Sequence, residues 1–288
     1  MALVRLLAPA KVNLFLHVGP VSEDGYHPLA SLVAFANLGD GLTVEPAERL
    51  SLTLTGPFGQ GLGDGGDNLI LKALRALGAA TAAGDPPLAV TLDKQLPIAA
   101  GLGGGSSDAG AALKAAREVL GLSLDDASLA DIAASVGADG PMCLHARAVW
   151  AEGRGDRLTF EPRLPPLSAV LINPGAPSPT GAVYRALDAG RATTADHPGP
   201  PGDWTLSTVI DWLAVQRNDL EAPAVTLEPA IGVVLSEAAR LPGVRLARMS
   251  GSGATVLALF DTAETAADAA RGLSLVRPDW WVRATTLQ

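Results

Sequence analysis

Residues 97–109, which read PIAAGLGGGSSDA, decide the fold of this chain. Four of the five residues from Gly101 to Gly105 are glycine, and glycine lets the backbone approach a ligand closely and take positive φ angles. The alanine-rich segment that follows predicts a helix over residues 107–120, ended by Gly121. Because a helix N-terminus offers unpaired N–H groups and the positive end of the helix dipole, this stretch predicts a cradle for a polyphosphate.

Two well-known glycine-rich motifs fit this stretch poorly. A P-loop ends in Gly-Lys-Ser/Thr, but in this chain no lysine follows the glycines until Lys114, inside the predicted helix. A dinucleotide-binding fingerprint needs a third Gly or Ala where this chain has Ser106, and a βαβ context that is absent from the pattern. A flexible loop with an ordinary Ser or Asp helix cap remains a second interpretation of the stretch by itself.

Composition limits the classes of protein that the chain can be. It has 288 residues, 48% of them hydrophobic, and a formal charge of −9, so we expect two domains and no general attraction to nucleic acid or anionic lipid. Cys143 is the single cysteine, which excludes an internal disulfide. The pattern shows neither a signal peptide nor a long apolar run, so we expect a cytoplasmic protein.

The pattern of apolar residues predicts an α+β protein. Residues 12–18 alternate as in a strand, and Asn68 is placed to cap a helix that extends to Gly78. The second half alternates helices with short strands. The proline-rich segment 159–166 predicts a boundary, giving domains 1–160 and 161–288.

Three separated motifs resemble those of the GHMP kinases, the superfamily of galactokinase, homoserine kinase and mevalonate kinase. They are residues 9–14 (PAKVNL), the glycine-rich stretch 97–109 and residues 250–255 (SGSGAT). The resemblance implies an α+β two-domain GHMP kinase fold, with an N-terminal domain like ribosomal protein S5 that binds ATP and a ferredoxin-like C-terminal domain. It also implies an ATP-dependent small-molecule kinase with an alcohol group as acceptor.

Further motifs resemble one family within that superfamily. They are residues 24–27 (DGYH), 137–139 (GAD), 152–155 (EGRG), 173–175 (NPG) with Thr180 and Tyr184, and 217–221 (RNDLE). That family phosphorylates the 2-hydroxyl of 4-diphosphocytidyl-2-C-methyl-D-erythritol in the non-mevalonate route to isoprenoid precursors. Gly140 departs from the family pattern, which more often has an apolar residue there, and residues 176–179 also differ.

The resemblance assigns roles to residues that have ordinary explanations when taken alone. Asp139 could be a turn aspartate, and the resemblance makes it the general base for the substrate hydroxyl. Lys11 could be a solvated strand residue, and the resemblance places it at the reacting centre. Tyr26 and Tyr184 could be core aromatics, and the resemblance puts them on the two faces of the pyrimidine, with His27 at the cytosine edge.

The expected site residues fall into three sets. The expected catalytic residues are Lys11 and Asp139. The expected ATP-binding residues are Pro97, Ala100, Gly101, Leu102, Gly103, Gly104, Gly105, Ser106, Ser107 and Asn68. The expected substrate-binding residues are Asn13, Tyr26, His27, Thr180, Tyr184, Gly251, Ser252 and Gly253.

The expected cofactors and partners follow from the same resemblance. They are ATP, a small-molecule substrate carrying cytidine diphosphate, and Mg²⁺ held mainly by phosphates and water, with Ser106 or Ser107 as a candidate ligand. No protein-bound zinc is expected, because the four histidines lack metal-ligand spacing. A monomer or weak homodimer is expected. Two rival functions remain: a homoserine- or mevalonate-type kinase, and a non-catalytic nucleotide-binding protein.

Overall fold

A computed structural model describes residues 3–23, 25–63, 65, 67–190 and 194–288 of the chain. The chain divides into two compact units that are discontinuous in sequence. Unit 1 contains the residues up to Ala10, Leu38–Ile98 and Gly103–Ala146. Unit 2 contains Lys11–Asn37, Ala99–Leu102 and Arg147–Gln288. The division predicted at residue 160 treats the domains as contiguous and stays a prediction.

Strands and helices are mixed along the whole chain. The strands are β1 (Val4–Asn13), β2 (His17–Val18), β3 (Leu29–Pro46), β4 (Ser51–Thr55), β5 (Leu88–Asp93), β6 (Val149–Gly153), β7 (Arg157–Phe160), β8 (Leu167–Asn173), β9 (Val244–Met249), β10 (Val256–Phe260) and β11 (Trp281–Leu287). The helices are α1 (Leu69–Ala80), α2 (Gly104–Leu120), α3 (Asp126–Val136), α4 (Gly140–His145), α5 (Thr180–Asp188), α6 (Leu206–Ala214), α7 (Glu221–Leu227), α8 (Pro229–Ala238) and α9 (Ala263–Val276). A short 3-10 turn spans Gly59–Gly61. The mixture confirms the predicted α+β class.

Unit 1 packs four helices with a small sheet. β5 lies between β4, to which it is parallel, and the second half of β3, to which it is antiparallel. Helices α1 to α4 pack together over a core that includes Leu74, Leu92 and Leu113, each at most 1% exposed. Alanines and Gly110 on α2 allow close packing, since a Cβ at Gly110 would lie 2.9 Å from Leu144 Cα.

Unit 2 is built around antiparallel strands. β8 pairs with β10 and β11, and β10 pairs with β9 on its other side. β6 pairs with β7 and with the first half of β3. Every residue of β10 is buried and apolar, as expected of a strand covered on both faces, and Phe260 at its end is fully buried.

The structure corrects several predicted element boundaries. α1 begins after Asn68 as predicted but continues past Gly78 to Ala80, because Gly78 permits close approach to the Gly84 carbonyl and does not end the helix. α2 begins at Gly104, three residues before the predicted start. Helices α4, α5 and α7, which have six, nine and seven residues, were not predicted from the sequence.

The predicted strand over residues 12–18 is also interrupted. β1 ends at Asn13 and β2 begins at His17, and all seven residues are buried. The polar members Asn13 and His17 find partners inside unit 2, so the alternation of residue types did not indicate a solvent-facing side.

Candidate active site

The glycine-rich stretch forms a tight loop that leads directly into α2. Three of its residues have positive φ angles, Ala99 at 52°, Gly101 at 73° and Gly103 at 61°. Gly103 is the cap residue of α2 and has no side chain to fill the space before the helix. The backbone N–H groups of the first turn therefore have no capping side chain, as a helix terminus that binds an anion requires.

Within unit 2, the loop is held against the second glycine-rich segment. A Cβ at Gly101 would lie 2.5 Å from Ser250 O and 2.8 Å from Gly253 O, so only glycine fits there. Ser250 Oγ donates to Gly101 O at 3.1 Å, and Thr255 N donates to Ala100 O at 3.2 Å. The structure thus brings together residues 100–102 and 250–253, two of the three segments that carried the family resemblance.

Within unit 1, the start of α2 lies over a buried charge cluster. Lys94 Nζ donates to Asp40 Oδ2 at 2.6 Å and to Asp108 Oδ2 at 2.7 Å. All three side chains are at most 4% exposed. A Cβ at Gly104, the first residue of α2, would lie 3.0 Å from the Lys94 ammonium group. A larger residue there would therefore crowd the cluster.

The two carboxylates of the cluster are not equivalent. Asp40 Oδ1 accepts hydrogen bonds from Gln95 N and Leu96 N, at 2.6 and 2.8 Å, whereas Asp108 Oδ1 has no partner among the residues that the structure describes. Burial raises the pKa of Asp108 to about 7, although Lys94 opposes the shift. Burial lowers the pKa of Lys94, but the two carboxylates outweigh it and the net shift is upward.

A cavity of about 440 Å³ opens beside the first turns of α1 and α2. Its lining includes Leu62, Asn68, Leu69, Gly105 and Asp108. Asn68 Oδ1 accepts from Ile70 N at 2.9 Å and so caps α1, and Asn68 Nδ2 donates to Gly63 O at 3.2 Å. The capping role predicted for Asn68 is confirmed, and the residue also lines a cavity large enough for part of a nucleotide.

Ser107 supplies a second buried polar atom near this helix start. Its side chain is 1% exposed, and its Oγ lacks a hydrogen-bond partner within the described part of the chain. Ser106 is partly exposed. An unpartnered hydroxyl oxygen is a donor type that Mg²⁺ accepts, so Ser107 fits the expected ion better than Ser106 does.

Asp139 lies in unit 1 at the start of α4. It is the cap residue of this helix, with φ −75° and ψ −8°, but its carboxylate makes no capping hydrogen bond. Gly140 after it is buried, and a Cβ there would overlap the carbonyl group of Ala133. The departure at Gly140 therefore has a packing reason: it lets α4 approach α3 closely beside Asp139.

Lys11 and Asn13 lie in unit 2 at the end of β1. Lys11 is 8% exposed, and its backbone N–H donates to Leu102 O at 2.8 Å. Asn13 N donates to Ser250 Oγ at 3.1 Å, and Asn13 Nδ2 donates to Ser31 Oγ at 2.8 Å. Asn13 Oδ1 is buried with no partner in the described ranges, so an acceptor is left for a ligand donor.

The aromatic residues expected at a pyrimidine lie in the other part of unit 2. Tyr26 is 55% exposed, and the Arg154 guanidinium lies 4.1 Å above its ring centroid. The rings of His27 and Tyr184 are 4.9 Å apart and tilted by 37°. His27 Nδ1 is 2.8 Å from Gly19 O, which requires the proton on Nδ1, and Nε2 lies 3.4 Å from Asp188 Oδ1. Asp24 of the same motif lies outside the described residues.

The remaining expected substrate residues are joined to each other. Thr180 Oγ1 and Ser252 Oγ are 2.8 Å apart, and Ser178 Oγ donates to Ser252 O at 2.5 Å. These contacts connect the start of α5 to the Gly251–Gly253 segment. Pro97 lies two residues before Ala99, where the loop turns.

Sequence reasoning missed the Asp40–Lys94–Asp108 cluster and the residues that hold the second glycine segment. Lys94 is 54 positions from Asp40 and 14 from Asp108, and no motif connects the three. The residues 217–221 carried only a family resemblance, although Asn218 contacts the glycine segment directly. Only the unusual presence of Lys94 near the end of an apolar strand could have drawn attention to the cluster.

Two features are absent from the described ranges. No cluster of three or more His, Cys, Asp or Glu side chains there is arranged to hold a metal ion. No helix there has the length and apolar character needed to cross a membrane.

Comparison with known proteins first defines the class. The family model for the GHMP kinases N terminal domain matches residues 68–147, and the model for the GHMP kinases C terminal matches residues 207–276. The first match includes the whole glycine-rich stretch and Asp139, and the second includes the Gly251–Gly253 segment. The fold and the loop geometry thus define a GHMP kinase.

Individual relatives narrow the class to one family. A 4-diphosphocytidyl-2-C-methyl-D-erythritol kinase of Caulobacter vibrioides is 54% identical over 97% of this chain and 98% of the relative. One of Methylobacterium radiotolerans is 49% identical over the full length of both chains. The crystal structure of a 4-(cytidine 5'-diphospho)-2C-methyl-D-erythritol kinase superposes with a TM-score of 0.81, at 36% identity over 99% of each chain. The chain belongs to the 4-diphosphocytidyl-2-C-methyl-D-erythritol kinase family.

Proposed function

We propose that the chain is an ATP-dependent kinase that phosphorylates the 2-hydroxyl of 4-diphosphocytidyl-2-C-methyl-D-erythritol, in the non-mevalonate route to isoprenoid precursors. The observation that carries this proposal is the 54% identity to such a kinase along nearly the whole of both chains. The uncapped start of α2 and the cavity at Asn68 support the proposal, since both suit a nucleoside triphosphate.

The phosphates of ATP would lie on the backbone N–H groups of residues 103–107. The adenosine would extend toward the cavity lined by Asn68. Mg²⁺ would be held by the phosphates, by water and by Ser107 Oγ, where it would neutralise phosphate charge. The glycine-rich stretch has no lysine, and the helix terminus and the ion would supply the positive charge there.

Phosphoryl transfer needs an oriented acceptor and stabilised charge. The 2-hydroxyl oxygen would form a bond to the γ-phosphorus while the bond to the β-phosphate oxygen breaks, and ADP would leave. Asp139 would accept the hydroxyl proton. Lys11 would stabilise negative charge on the attacking oxygen.

Recognition of the cytidine end would rest on Tyr26, His27 and Tyr184. The exposed Tyr26 ring offers a surface on which a base can stack. His27, whose ring is oriented by Gly19 O and Asp188, would contact the edge of the cytosine. Asn13 Oδ1 would accept a hydrogen bond from a substrate hydroxyl. We further expect a cytoplasmic monomer or weak homodimer.

A substrate panel tests the proposal. Purified protein with ATP and Mg²⁺ is assayed on 4-diphosphocytidyl-2-C-methyl-D-erythritol, 2-C-methyl-D-erythritol, homoserine and mevalonate. We expect turnover of the cytidylated substrate about a hundredfold or more above the others, because only it engages Tyr26 and His27. Equal turnover of a substrate without cytidine would contradict the substrate assignment and favour a homoserine- or mevalonate-type kinase.

Replacement of the proposed base tests whether the chain is a catalyst. Asp139→Asn should abolish phosphoryl transfer and leave ATP affinity within a few-fold of wild type. Asp131→Asn, an exposed carboxylate change in neighbouring α3, is the matched control and should keep full activity. An active Asp139→Asn variant would show that the base is another group. A wild-type protein that binds ATP but transfers no phosphate would favour the non-catalytic alternative.

A further inference from the structure

The residues 217–221, which read RNDLE, hold other segments of unit 2 with their polar side chains. Asp219 Oδ2 accepts from Val18 N at 2.8 Å, and Glu221 Oε2 accepts from Met249 N at 2.8 Å. The backbone of this segment also forms hydrogen bonds with Leu16: Leu16 N donates to Arg217 O, and Asp219 N donates to Leu16 O, both at 2.9 Å. A segment whose carboxylates receive backbone N–H groups serves to fix the backbone that it touches.

Asn218 has the central place in this arrangement. Its Nδ2 donates to Met249 O and to Gly251 O, both at 2.8 Å, so one amide bonds the carbonyls on either side of Ser250. Its Oδ1 accepts from Leu220 N at 3.0 Å at the start of α7. The side chain is 7% exposed, and both of its N–H donors and its oxygen are used.

Ser250, between those carbonyls, connects the two segments that carry the proposed chemistry. Its Oγ accepts from Asn13 N at 3.1 Å and donates to Gly101 O at 3.1 Å. Lys11 N donates to Leu102 O at 2.8 Å in the same place. The end of β1 and residues 101–102 are therefore held in one register by a hydroxyl whose own backbone is fixed by Asn218.

We propose that Asn218 is a positioning residue for phosphoryl transfer: it fixes Ser250 and so sets residues 101–102 of the glycine-rich stretch relative to Lys11 and Asn13. This inference rests on the proposed function. Asn218 would act through Ser250, because its three side-chain hydrogen bonds go to backbone groups of Met249, Gly251 and Leu220. A displacement of about 1 Å between reacting groups can cost about a hundredfold in rate, so loss of this fixing should lower kcat.

The test is the isosteric variant Asn218→Asp, which removes both N–H donors and faces two carbonyls with a carboxylate. We expect kcat for the cytidylated substrate to fall by about tenfold or more. The KM for that substrate should stay within about threefold, because Tyr26, His27 and Tyr184 are held by other contacts. Ser250→Ala removes the hydroxyl that Asn218 places. It should likewise lower kcat and leave the KM nearly unchanged.

Thr285→Val is the matched control for a buried polar change in unit 2. Thr285 is 8% exposed and donates to Asn37 Oδ1 at 2.6 Å, away from the glycine segments in the sequence and in its contacts. It should lower the melting temperature and leave kcat and KM unchanged.

Three results would overturn the proposal. One is an Asn218→Asp variant with wild-type kcat. The second is a fall in kcat that Thr285→Val reproduces at equal loss of melting temperature. The third applies if Asn218→Asp does not fold. In that case, a Ser250→Ala variant with wild-type kcat would overturn the proposal. If wild-type protein does not phosphorylate the cytidylated substrate, the proposed function fails instead, so the two failures are distinct.

Discussion

Asp108→Asn should change how the stability of the protein depends on pH. Asp108 is 3% exposed, and its carboxylate has one donor, Lys94, while Oδ1 has none among the described residues. Its pKa is raised from 3.8 to about 7, chiefly by burial. Asparagine keeps an oxygen for Lys94 and puts a neutral NH₂ group in place of the unpartnered oxygen, so the variant changes the charge and not the shape.

The sign of the effect follows from proton linkage. Between the pKa of the unfolded chain and that of the native protein, the unfolded chain has lost the proton and the native protein keeps it. Rising pH therefore favours unfolding until about pH 7, above which both states are ionised. From pH 5 to pH 7, a span of about 2 pH units, this linkage should lower the free energy of unfolding of the wild type by about 3 kcal/mol. The free energy of unfolding of Asp108→Asn minus that of wild type should rise by about this amount between pH 5 and pH 8.

Urea unfolding followed by far-UV circular dichroism at pH 5, 6, 7 and 8 measures this difference. Asp126→Asn is the control: Asp126 is exposed on α3, and Arg117 lowers its pKa through a hydrogen bond, so its small effect should be the same at all four values. Parallel stability curves for wild type and Asp108→Asn would refute the reasoning. They would mean that Asp108 is already ionised in the native protein at pH 5.

Two further predictions concern packing and capping in unit 1. Gly140→Ala should lower the free energy of unfolding by about 1–3 kcal/mol, because the new Cβ meets the Ala133 carbonyl. Gly137→Ala, where a Cβ meets nothing within 4 Å, should change it by less than about 0.5 kcal/mol, and equal melting temperatures for the two variants would contradict the packing argument. Asn68→Ala should lose about 1 kcal/mol with the cap of α1, whereas Asn68→Asp, which keeps an accepting oxygen for Ile70 N, should retain most of it. Chemical denaturation of both variants measures this, and an equal loss in both would show that the amide, not the cap, stabilises the helix.

Helix ends could be predicted from the sequence where residues close in the sequence cause them. Asn68 caps α1 because its acceptor lies two residues before Ile70, and Gly121 ends α2 at φ 63° because the last turn needs a left-handed residue. The predicted end of α1 at Gly78 was wrong, because the helix continues to Ala80. That glycine is required by the close approach of the Gly84 carbonyl in the turn after the helix.

The burial of residues 12–18 shows that the type of a residue does not by itself predict its exposure. Asn13 and His17 alternate with apolar residues, yet both are at most 5% exposed. His17 Nδ1 is 2.7 Å from Asp196 O, a partner 179 positions away, and burial lowers its pKa. A polar residue type predicts exposure only when no distant partner is present, and the sequence does not specify such partners.

The sequence by itself determined the family, and it located the glycine-rich stretch and the residues with proposed chemical roles. Each of these depends on short motifs whose spacing is written in the chain. Only the tertiary structure decided what supports them: the Asp40–Lys94–Asp108 cluster beneath α2, and the fixing of Gly101 by Ser250 and Asn218. These contacts join residues 14 to 149 positions apart, and burial makes their charges and hydrogen bonds matter, since an unpaired polar group is costly only where water is excluded.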